Sequence, residues 1–393
     1  MKVLLCHAYY RQRGGEDSVY ENERTLLKKN DIETFTYTLS NNEIDNSTLT
    51  RRFRLARDTA WSNRAYSEIS KFIRRTRPNV AHFHNTFPLL SPSVYAACHD
   101  NDVPVVQTLH NYRLICPGAM LQRDGKPCEA CVGNTLFPAL RYRCYRGSFA
   151  GTAAVVWMLT RNRWMGTYRR LVNRYIALTN FSAGRLVDGG LPEERISVKP
   201  NFLPDPPAVG DGGGGYAIYV GRLSQEKGVD ILLSAWRNIK DMPLKIIGDG
   251  VLRAPLEEHA RQHNLKVEFL GFKPRDFVLE AVRSATIQIV PSMCYEGLPM
   301  VIPEAYACGT PVVAARLGSL EEVVEEGETG FKFTPGDAHD LARVVNGLWA
   351  NQSELGALRR NVRTTFEQKY TAEINYRILM DIYAKALSDF GTK

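Results

Sequence analysis

The 393-residue sequence lacks any run of about 18 apolar residues, the length that a membrane-spanning helix requires. Its longest apolar stretch, residues 150–159, ends before Arg161. The first residues, MKVLLCHAYYRQRGGED, lack the long apolar core of a signal peptide, because the short apolar run turns basic at once. These two absences predict a cytoplasmic protein that does not cross a membrane.

A GxGxxG motif is also absent, which excludes the usual fingerprint of dinucleotide-binding enzymes. Gly14 and Gly15 do occupy the first predicted strand-to-helix turn, where glycine lets the backbone approach a ligand closely, although such a pair is more often just a turn. The triplet Asp100-Asn101-Asp102 has a metal-binding pattern but precedes a predicted strand, at the wrong edge of the sheet for a ligand. We therefore interpret it as a loop.

Charge is distributed unevenly along the chain. Residues 1–200 contain 29 Lys+Arg and 17 Asp+Glu, a net charge of +12, whereas residues 201–393 contain 21 and 25, a net charge of −4, and the two sum to +8. A basic first half indicates an anionic partner, for which nucleic acid and a membrane surface both qualify. An incidentally basic, solvated face is the alternative.

Short apolar runs alternate with segments of helical periodicity, which predicts parallel sheets with crossover helices. The alternation is interrupted at residues 204–215, whose Pro- and Gly-rich composition marks a domain boundary. The sequence therefore predicts an α/β protein with two doubly wound, Rossmann-like domains facing across a cleft. We place the N-terminal domain at residues 1–203, with a Cys-containing insert at 111–150, and the C-terminal domain at 204–371.

Two helical regions carry more detailed predictions. Residues 51–77 are predicted to be mostly helical and very basic. The tail from Ala338 is also predicted to be helical, with Gly347 and Gly356 as the breaks.

Residues 290–314, VPSMCYEGLPMVIPEAYACGTPVVA, place Glu296 in a loop and Glu304 in the first turns of a helix. Eight helical residues rise by about 12 Å, so two acids at this spacing can hold both ends of an elongated ligand. Backbone N–H groups at the helix start suit an anion between them. A nucleotide-sugar has this form, with hydroxyls at each end and a diphosphate in the middle. The alternative is a helix start whose acids only complement the helix dipole.

Cations and histidines lie at the ends of other predicted strands. Arg222 and Lys227 follow the strand YAIYV, where they suit a diphosphate and its developing charge; two solvated cations on a surface turn are the alternative. His110 ends the strand VPVVQTLH at the ligand-binding edge of a parallel sheet, although a structural histidine is about as common there. His82 and His84 alternate on the neighbouring strand, which favours a core role or support of His110.

The predicted insert contains Cys116, Cys128, Cys131 and Cys144, with the spacing C-x11-C-x2-C-x12-C. Four thiols within 29 residues, including a CxxC pair, fit a closed tetrahedral zinc site. Disulfides are disfavoured in a reducing cytosol. An insert with few apolar residues needs another source of stability, which a bound metal ion can provide. The spacing therefore predicts structural zinc, with thiols that bind no metal as the alternative.

Residues 137–174 interleave arginine with aromatic residues. The set is Arg141, Arg143, Arg146, Arg161, Arg163, Arg169, Arg170 and Arg174 with Phe137, Tyr142, Tyr145, Phe149, Trp157, Trp164 and Tyr168. A basic, aromatic, partly helical surface suits the headgroups of an anionic bilayer and equally resembles a nucleic-acid patch. We favour the membrane surface, because the second domain is predicted to bind a sugar donor and such donors often supply sugars to lipid-borne acceptors. We do not expect nucleic acid as the partner. A helix with an ordinary solvated face is the remaining alternative.

Several motifs resemble those of the family 4 retaining glycosyltransferases. The most specific are GRLSQEKGVD (221–230), IIGDG (246–250), FLGF (269–272), VPSMCYEGLPMVIPEAYACGTPVVA (290–314) and LEEVVEEGETGFKF (320–333). The Gly-Gly turn, His110 and the strand IALT match more loosely. The resemblance implies the GT-B architecture of two Rossmann-like domains, with helix 372–393 packing back on the first domain, and donor binding mainly by the second.

The resemblance also implies roles for residues of this chain. It implies a donor-binding set of Gly14, Gly15, Arg222, Lys227, Glu296, Gly297, Leu298, Pro299 and Glu304, and a catalytic set of His110, Arg222, Lys227 and Glu296. Arg222 and Lys227 would hold the diphosphate, and Glu304 would hold the ribose. Glu296, the backbone that follows it and His110 would contact the transferred sugar. No catalytic metal is implied.

We therefore predict a retaining, metal-independent hexosyltransferase that uses a UDP- or GDP-linked sugar. Its predicted acceptor is lipid-linked or an oligosaccharide in polysaccharide or glycolipid assembly, and the enzyme is expected to be peripheral on the inner face of the membrane. An epimerase or phosphorylase of the same fold is an alternative. A zinc-stapled nucleic-acid-binding protein is an alternative from a different class.

Overall fold

Two six-stranded parallel sheets, built largely from the predicted apolar runs, are present in the computed structural model, which describes residues 1–10, 14–44, 48–239 and 241–391. The strands are β1 (Lys2–Tyr9), β2 (Glu33–Ser40), β3 (Val80–Phe83), β4 (Val105–Thr108), β5 (Gln122–Arg123), β6 (Lys126–Pro127), β7 (Arg174–Ala177), β8 (Ile196–Val198), β9 (Ala217–Val220), β10 (Leu244–Ile247), β11 (Val267–Gly271), β12 (Ile287–Val290), β13 (Val312–Ala315) and β14 (Gly330–Phe333). The helices are α1 (Gly15–Lys29), α2 (Leu49–Ala60), α3 (Asn63–Thr76), α4 (Ser93–His99), α5 (Phe137–Tyr142), α6 (Phe149–Trp164), α7 (Thr167–Arg170), α8 (Asn180–Asp188), α9 (Val229–Trp236), α10 (Arg253–Gln262), α11 (Arg275–Ser284), α12 (Val301–Ala307), α13 (Ser319–Val323), α14 (Ala338–Ala350), α15 (Gln352–Lys369) and α16 (Ala372–Gly391).

The chain divides into two compact units. Unit 1 comprises Met1–Leu121, Glu129–Pro200 and the C-terminal segment that begins at Asn375, whereas unit 2 comprises Gln122–Cys128 and Asn201–Ile374. The short hairpin of β5 and β6, which the sequence placed in the insert of the first domain, therefore groups with unit 2.

The sheet of unit 1 has the strand order β2-β1-β3-β4-β7-β8, and all its pairs are parallel. Strands β3 and β4 are buried along their whole length, as expected for strands covered on both faces. The last helix, α16, joins this core: Leu379, Ile382 and Tyr383 cluster with Val3 and Ile176. The doubly wound fold and the return of the C-terminal helix to the first unit are confirmed.

The sheet of unit 2 has the strand order β11-β10-β9-β12-β13-β14 and is also parallel. We did not predict β14, because the segment GFKF contains neither a β-branched residue nor an apolar run. It pairs with β13 where Gly330 lies close to the partner backbone: a Cβ at this position would be 1.8 Å from the carbonyl oxygen of Val312.

One sequence prediction about helices is confirmed and one is wrong. The basic segment 51–77 is mostly helical, as predicted: it forms α2 and α3, and Ser62 between them caps the second helix, its hydroxyl accepting the N–H of Ala65 at 3.1 Å. Gly347 and Gly356 lie inside α14 and α15, and the break falls at Asn351 instead.

The Pro- and Gly-rich stretch 204–215 belongs to unit 2 and packs on it. The buried guanidinium of Arg359 donates to the carbonyl oxygens of Gly210, Arg283 and Ala285. The linker-like composition therefore marks a backbone that packs closely, not a free tether. Among the described residues, we find no helix both long enough and apolar enough to cross a bilayer.

Candidate functional site

The loops that follow β9 and β10 in unit 2 are joined backbone to backbone. The N–H of Leu223 donates to the carbonyl of Asp249 at 3.0 Å, and the N–H of Leu252 donates to the carbonyl of Leu223 at 3.1 Å. Gly248 has a φ of +139°, and a Cβ there would lie 1.9 Å from the carbonyl oxygen of Gly221. Because the carboxyl ends of parallel strands share one edge, this joined pair of loops forms a rigid base for the residues of that edge.

Lys227 and Glu296 meet at this edge, although they are 69 residues apart in sequence. The ammonium of Lys227 donates to Oε1 of Glu296 at 2.6 Å, and the hydroxyl of Ser292 donates to the same oxygen at 2.7 Å. Lys227 lies directly before α9, and Gly228 brings it near the loop after β12. A Cβ at Gly228 would be 2.1 Å from the carbonyl oxygen of Pro291.

The ion pair is mostly buried, and it keeps both groups charged. Burial alone would raise the pKa of Glu296, but Lys227 and Ser292 hold that pKa below its usual value. Burial alone would lower the pKa of Lys227, but Glu296 raises it. The pair therefore presents a fixed ammonium beside a fixed carboxylate.

Arg222 is an exposed cation at the same edge. Its side chain is 55% exposed, and its guanidinium lies 4.0 Å from the carboxylate of Glu226. Glu226 is itself held by the hydroxyl of Ser224 at 2.6 Å, and the hydroxyl of Tyr219 donates to the carbonyl of Arg222 at 2.8 Å. The backbone at Arg222 is thus anchored while its guanidinium extends into solvent, where it can reach an anion.

Glu304 lies in the first turn of α12 and has a weak charge partner. Its side chain is 16% exposed, and its carboxylate is 3.9 Å from the guanidinium of Arg275. Burial raises the pKa of Glu304 to about 7, and Arg275 only partly opposes this shift. Pro303 occupies the third position of the helix, where its missing N–H costs no helical hydrogen bond.

The backbone between the two glutamates is fixed by a residue that the sequence analysis missed. The side-chain amide of Asn201 donates to the carbonyl of Leu298 at 2.7 Å, and both residues are buried. Gly297 and Pro299, on either side, are partly exposed. Asn201 follows β8 in a Lys-Pro-Asn segment whose composition gave no signal of this role.

In unit 1, Gly14 caps the N-terminus of α1 and Gly15 is its first residue. The N–H of Gly14 donates to Oδ2 of Asp17 at 2.9 Å, and Oδ1 of Asp17 lies 2.7 Å from Nε2 of His7. Asp17 therefore points into the core and serves as a helix cap. Among the described residues, none has an atom within 4 Å of a Cβ placed at Gly14.

His110 follows β4 and is partly exposed. Its ring stacks on that of His84, with centroids 5.2 Å apart, and its Nε2 lies 3.0 Å from Nδ1 of His84. Burial, reinforced by His84, lowers the pKa of His110 well below its usual value. His110 is therefore neutral near pH 7, and His84 supports it directly.

The structure thus gathers the predicted residues into two sets. In unit 2, Lys227 and Glu296 form one contact, while Arg222 and Glu304 have separate partners of their own. In unit 1, the Gly14-Gly15 turn follows β1 and His110 follows β4.

The four cysteines of the predicted zinc site differ in exposure, with Cys116 and Cys131 buried and Cys128 and Cys144 partly exposed. Within the residues that the structure describes, Glu23, His82 and His84 are the one group of three possible metal ligands whose atoms all lie within 4.8 Å of one another. No three of the four cysteines meet that criterion. Structural zinc therefore stays a prediction.

Two family models match this chain. The family model described as glycosyltransferase family 4 matches residues 13–205, and the one described as glycosyl transferases group 1 matches residues 209–365. The chain is 35% identical over 159 residues to an uncharacterized glycosyltransferase of Methanocaldococcus jannaschii, which covers 40% of this chain and 44% of that protein. It is 28% identical over 245 residues to the putative colanic acid biosynthesis glycosyltransferase WcaL of Escherichia coli, which covers 56% of this chain and 59% of that protein. The matches thus span less than two thirds of these curated relatives.

A solved structure matches almost the whole chain. HepE of Anabaena in complex with UDP has a TM-score of 0.66 and 18% identity, and the match covers 98% of this chain and 100% of that one. At this identity the likeness concerns the fold, which is the two-domain GT-B architecture. Because the two family models together match most of the chain, and the fold agrees with them, the protein belongs to glycosyltransferase family 4.

Proposed function

We propose that this protein transfers a hexose from a UDP- or GDP-linked donor to a membrane-borne lipid or oligosaccharide acceptor, with retention of anomeric configuration. The observation that carries the proposal is the buried Lys227–Glu296 pair beside the exposed guanidinium of Arg222. Two cations and a fixed carboxylate at one sheet edge match an anionic diphosphate joined to a polyhydroxylated sugar.

In this proposal the bond between the anomeric carbon and the diphosphate oxygen breaks, and the electron pair leaves with the diphosphate. Arg222 and Lys227 stabilise the charge that develops there, which is the task of a metal ion in other transferases. The acceptor hydroxyl attacks the same face of the sugar, and its proton passes to the departing diphosphate. Retention follows from this same-face path, and the two cations make a catalytic metal unnecessary.

The remaining residues position the donor. Glu304 would accept hydrogen bonds from the ribose hydroxyls, and Glu296 with the loop Gly297–Pro299 would contact the transferred sugar. In unit 1, the Gly14-Gly15 turn would approach the phosphates and His110 would contact the sugar. UDP is the first donor nucleotide to test, because HepE was solved with UDP and with UDP-glucose.

A panel of nucleotides provides the direct test. UDP or GDP should raise the melting temperature by several degrees, because a ligand at 100 times its Kd stabilises the folded state by about 2.7 kcal/mol. The matching monophosphate should raise it less, since it lacks the second phosphate for Arg222 and Lys227. Differential scanning fluorimetry with UDP, UMP, GDP, GMP, UDP-glucose and ADP makes the comparison.

Equal shifts for monophosphates and diphosphates would contradict the diphosphate site, and no shift with any nucleotide would overturn the proposed donor class. Product analysis with the sugar donor alone separates the same-fold alternatives, because an epimerase forms a new nucleotide-sugar without any acceptor. A phosphorylase would instead require inorganic phosphate.

The membrane part of the proposal rests on helices α2 and α6, which pack against each other in unit 1. Phe53 on α2 is 78% exposed, and Trp164 on α6 is 87% exposed. Four arginines of α2 are exposed around Phe53: Arg51, Arg52, Arg54 and Arg57. Exposed aromatic rings within a basic surface fit an anionic bilayer.

This surface differs in part from the set predicted from the sequence. Tyr168 is buried, Arg163 donates to the carbonyl of Leu114, and Arg174 pairs with Asp389. These three residues stabilise unit 1 and do not contribute to the exposed face. Helix α2, which the sequence analysis did not include, contributes instead.

Vesicle binding tests this surface. The protein should sediment with vesicles of phosphatidylglycerol and phosphatidylcholine but not with phosphatidylcholine alone, and binding should weaken with salt. The double variant Trp157→Ser/Trp164→Ser removes two exposed rings that lie seven residues apart on α6, and it should bind the anionic vesicles at least several-fold more weakly. Phe272→Ser, which removes an exposed ring of unit 2, is the control and should bind as the wild type does. Equal losses in both variants, or binding to neutral vesicles, would contradict the assignment.

A further inference from the structure

A buried polar cluster lies beneath His110 in unit 1, and the proposed reaction does not yet use it. Glu23 on α1 is fully buried, and its Oε1 accepts from the ammonium of Lys199 at 2.5 Å. Lys199 is fully buried as well and also donates to the side-chain oxygen of Asn375 at 3.2 Å. The lysine supplies the counter-charge without which a buried carboxylate would be very costly.

The second oxygen of Glu23 points at His84. Its Oε2 lies 3.3 Å from Nε2 of His84, and within the described residues neither atom forms a hydrogen bond, so these two buried, unsatisfied atoms face each other. Nδ1 of His84 then contacts Nε2 of His110 at 3.0 Å. The four side chains therefore form a row from Lys199 through Glu23 and His84 to the partly exposed His110.

The spacing of Glu23, His82 and His84 resembles a metal site, but its chemistry does not. Both ring nitrogens of His82 are already bonded, Nδ1 to the hydroxyl of Tyr383 and Nε2 to that of Thr108, each at 2.8 Å. The ammonium of Lys199 would also repel a cation. The cluster is therefore a hydrogen-bonded network.

The charge of Glu23 determines where the protons lie in this row. Burial alone would raise the pKa of Glu23, but Lys199 and His84 hold it well below its usual value, so Glu23 is a carboxylate and can only accept. When the ring of His84 carries a single proton, that proton lies on Nε2, which faces the carboxylate of Glu23, and Nδ1 is an acceptor. His110 must donate to that acceptor from its own Nε2.

We propose that Glu23 is a positioning residue that, through His84, fixes His110 as the Nε2–H tautomer and leaves Nδ1 of His110 as a hydrogen-bond acceptor for a hydroxyl of the transferred sugar. This inference rests on the proposed function for the identity of the ligand. Within the described residues, Nδ1 of His110 has no hydrogen-bond partner, so the acceptor is available.

The tautomer itself is measurable without any activity. With histidine labelled by ¹⁵N, a two-bond correlation spectrum of the full chain should show Nε2 of His110 as the protonated nitrogen and Nδ1 as the bare one, and His110→Gln assigns the signals. Glu23→Gln should disturb this pattern, because the amide can donate a hydrogen bond to His84 and so reverse the direction of the hydrogen bonds between residues 23, 84 and 110. It should also lower kcat/KM for the sugar donor by roughly tenfold, about the worth of one oriented hydrogen bond.

Tyr383→Phe is the matched control. It removes an equally buried hydroxyl that contacts His82 but lies outside the row, so the His110 pattern and kcat/KM should stay as in the wild type. If Glu23→Gln does not fold, the double variant Glu23→Gln/Lys199→Met removes both buried charges together and should show the same change.

A bare Nε2 or a doubly protonated His110 in the wild type would overturn the inference, as would an unchanged pattern in the folded Glu23 variants. Absence of turnover with every sugar donor would instead contradict the proposed function, because the spectrum of His110 is measured independently of it.

Discussion

Replacement of Lys227 by alanine is expected to lower turnover by about two orders of magnitude or more, the usual effect of removing one preorganised donor to developing charge. The ammonium is held 2.6 Å from Glu296 before any donor binds, so its position does not have to be established during the reaction. Its loss also removes the positive charge that balances Glu296, a mostly buried carboxylate.

The measurement is steady-state transfer or donor hydrolysis alongside a separate Kd for UDP. Because charge on the diphosphate grows in the transition state, kcat should fall more than affinity does. Lys245→Ala is the matched control, since Lys245 lies on β10 with its ammonium over the ring of Tyr216, 4.0 Å from the centroid. Near-wild-type turnover in Lys227→Ala, or an equal loss in the control, would refute the role of Lys227.

Replacement of Glu304 by glutamine is expected to have opposite effects on nucleotide binding and on stability. A carboxylate can accept hydrogen bonds from both ribose hydroxyls, and hydrogen bonds to a charged group contribute more binding free energy than neutral ones. UDP should therefore bind roughly 10- to 100-fold more weakly to the variant near pH 8. The variant should nevertheless be more stable than the wild type at that pH, because it no longer holds a poorly paired buried charge.

The pH dependence follows from the raised pKa of Glu304. Its pKa is 4.5 in the unfolded chain and about 7 in the folded one, so between these values the folded state holds a proton that the unfolded state has lost. Stability from this group therefore falls as pH rises from about 4.5 to 7 and is constant above, a total loss on the order of 3 kcal/mol.

Melting temperatures of the wild type and Glu304→Gln should accordingly be close near pH 5 and diverge near pH 8, with the variant higher. UDP affinity of the wild type should gain more than that of the variant over about pH 6 to 8, because binding requires the carboxylate. Glu321→Gln, an exposed acid in the first turn of α13, should change neither quantity. An unchanged Kd for UDP would remove the ribose role, and a stability difference independent of pH would remove the raised pKa.

The strand-end motifs are the part of the site that the sequence could predict. Apolar runs locate β9 and β12, and parallel strands deliver their following residues to one edge, so Lys227 and Glu296 could be expected to be neighbours before any coordinates existed. The same rule does not identify β14, because the alternation of Phe331, Lys332 and Phe333 is too short to distinguish a strand from a loop.

The polar cluster beneath His110 could have been suspected from one detail. Glu23 falls on the helical stripe of α1 that also carries Val19, Tyr20, Leu26 and Leu27, and a charged residue on an apolar stripe needs a buried partner. The identity of that partner could not be predicted, because Lys199 and Asn375 are 176 residues apart and only tertiary packing brings them to Glu23. The role of Asn201 at Leu298 was hidden for the same reason.

The close packing at Gly228 limits which substitutions this position can accept. Its missing side chain allows two loops to touch, and any larger residue would force apart the segments that bear the ammonium and the carboxylate. A mutational scan would therefore register position 228 as intolerant although it contributes no functional group, and the resulting proteins would keep their sheets while losing the ion pair. A residue that contacts no ligand can therefore still be essential for the geometry of this site.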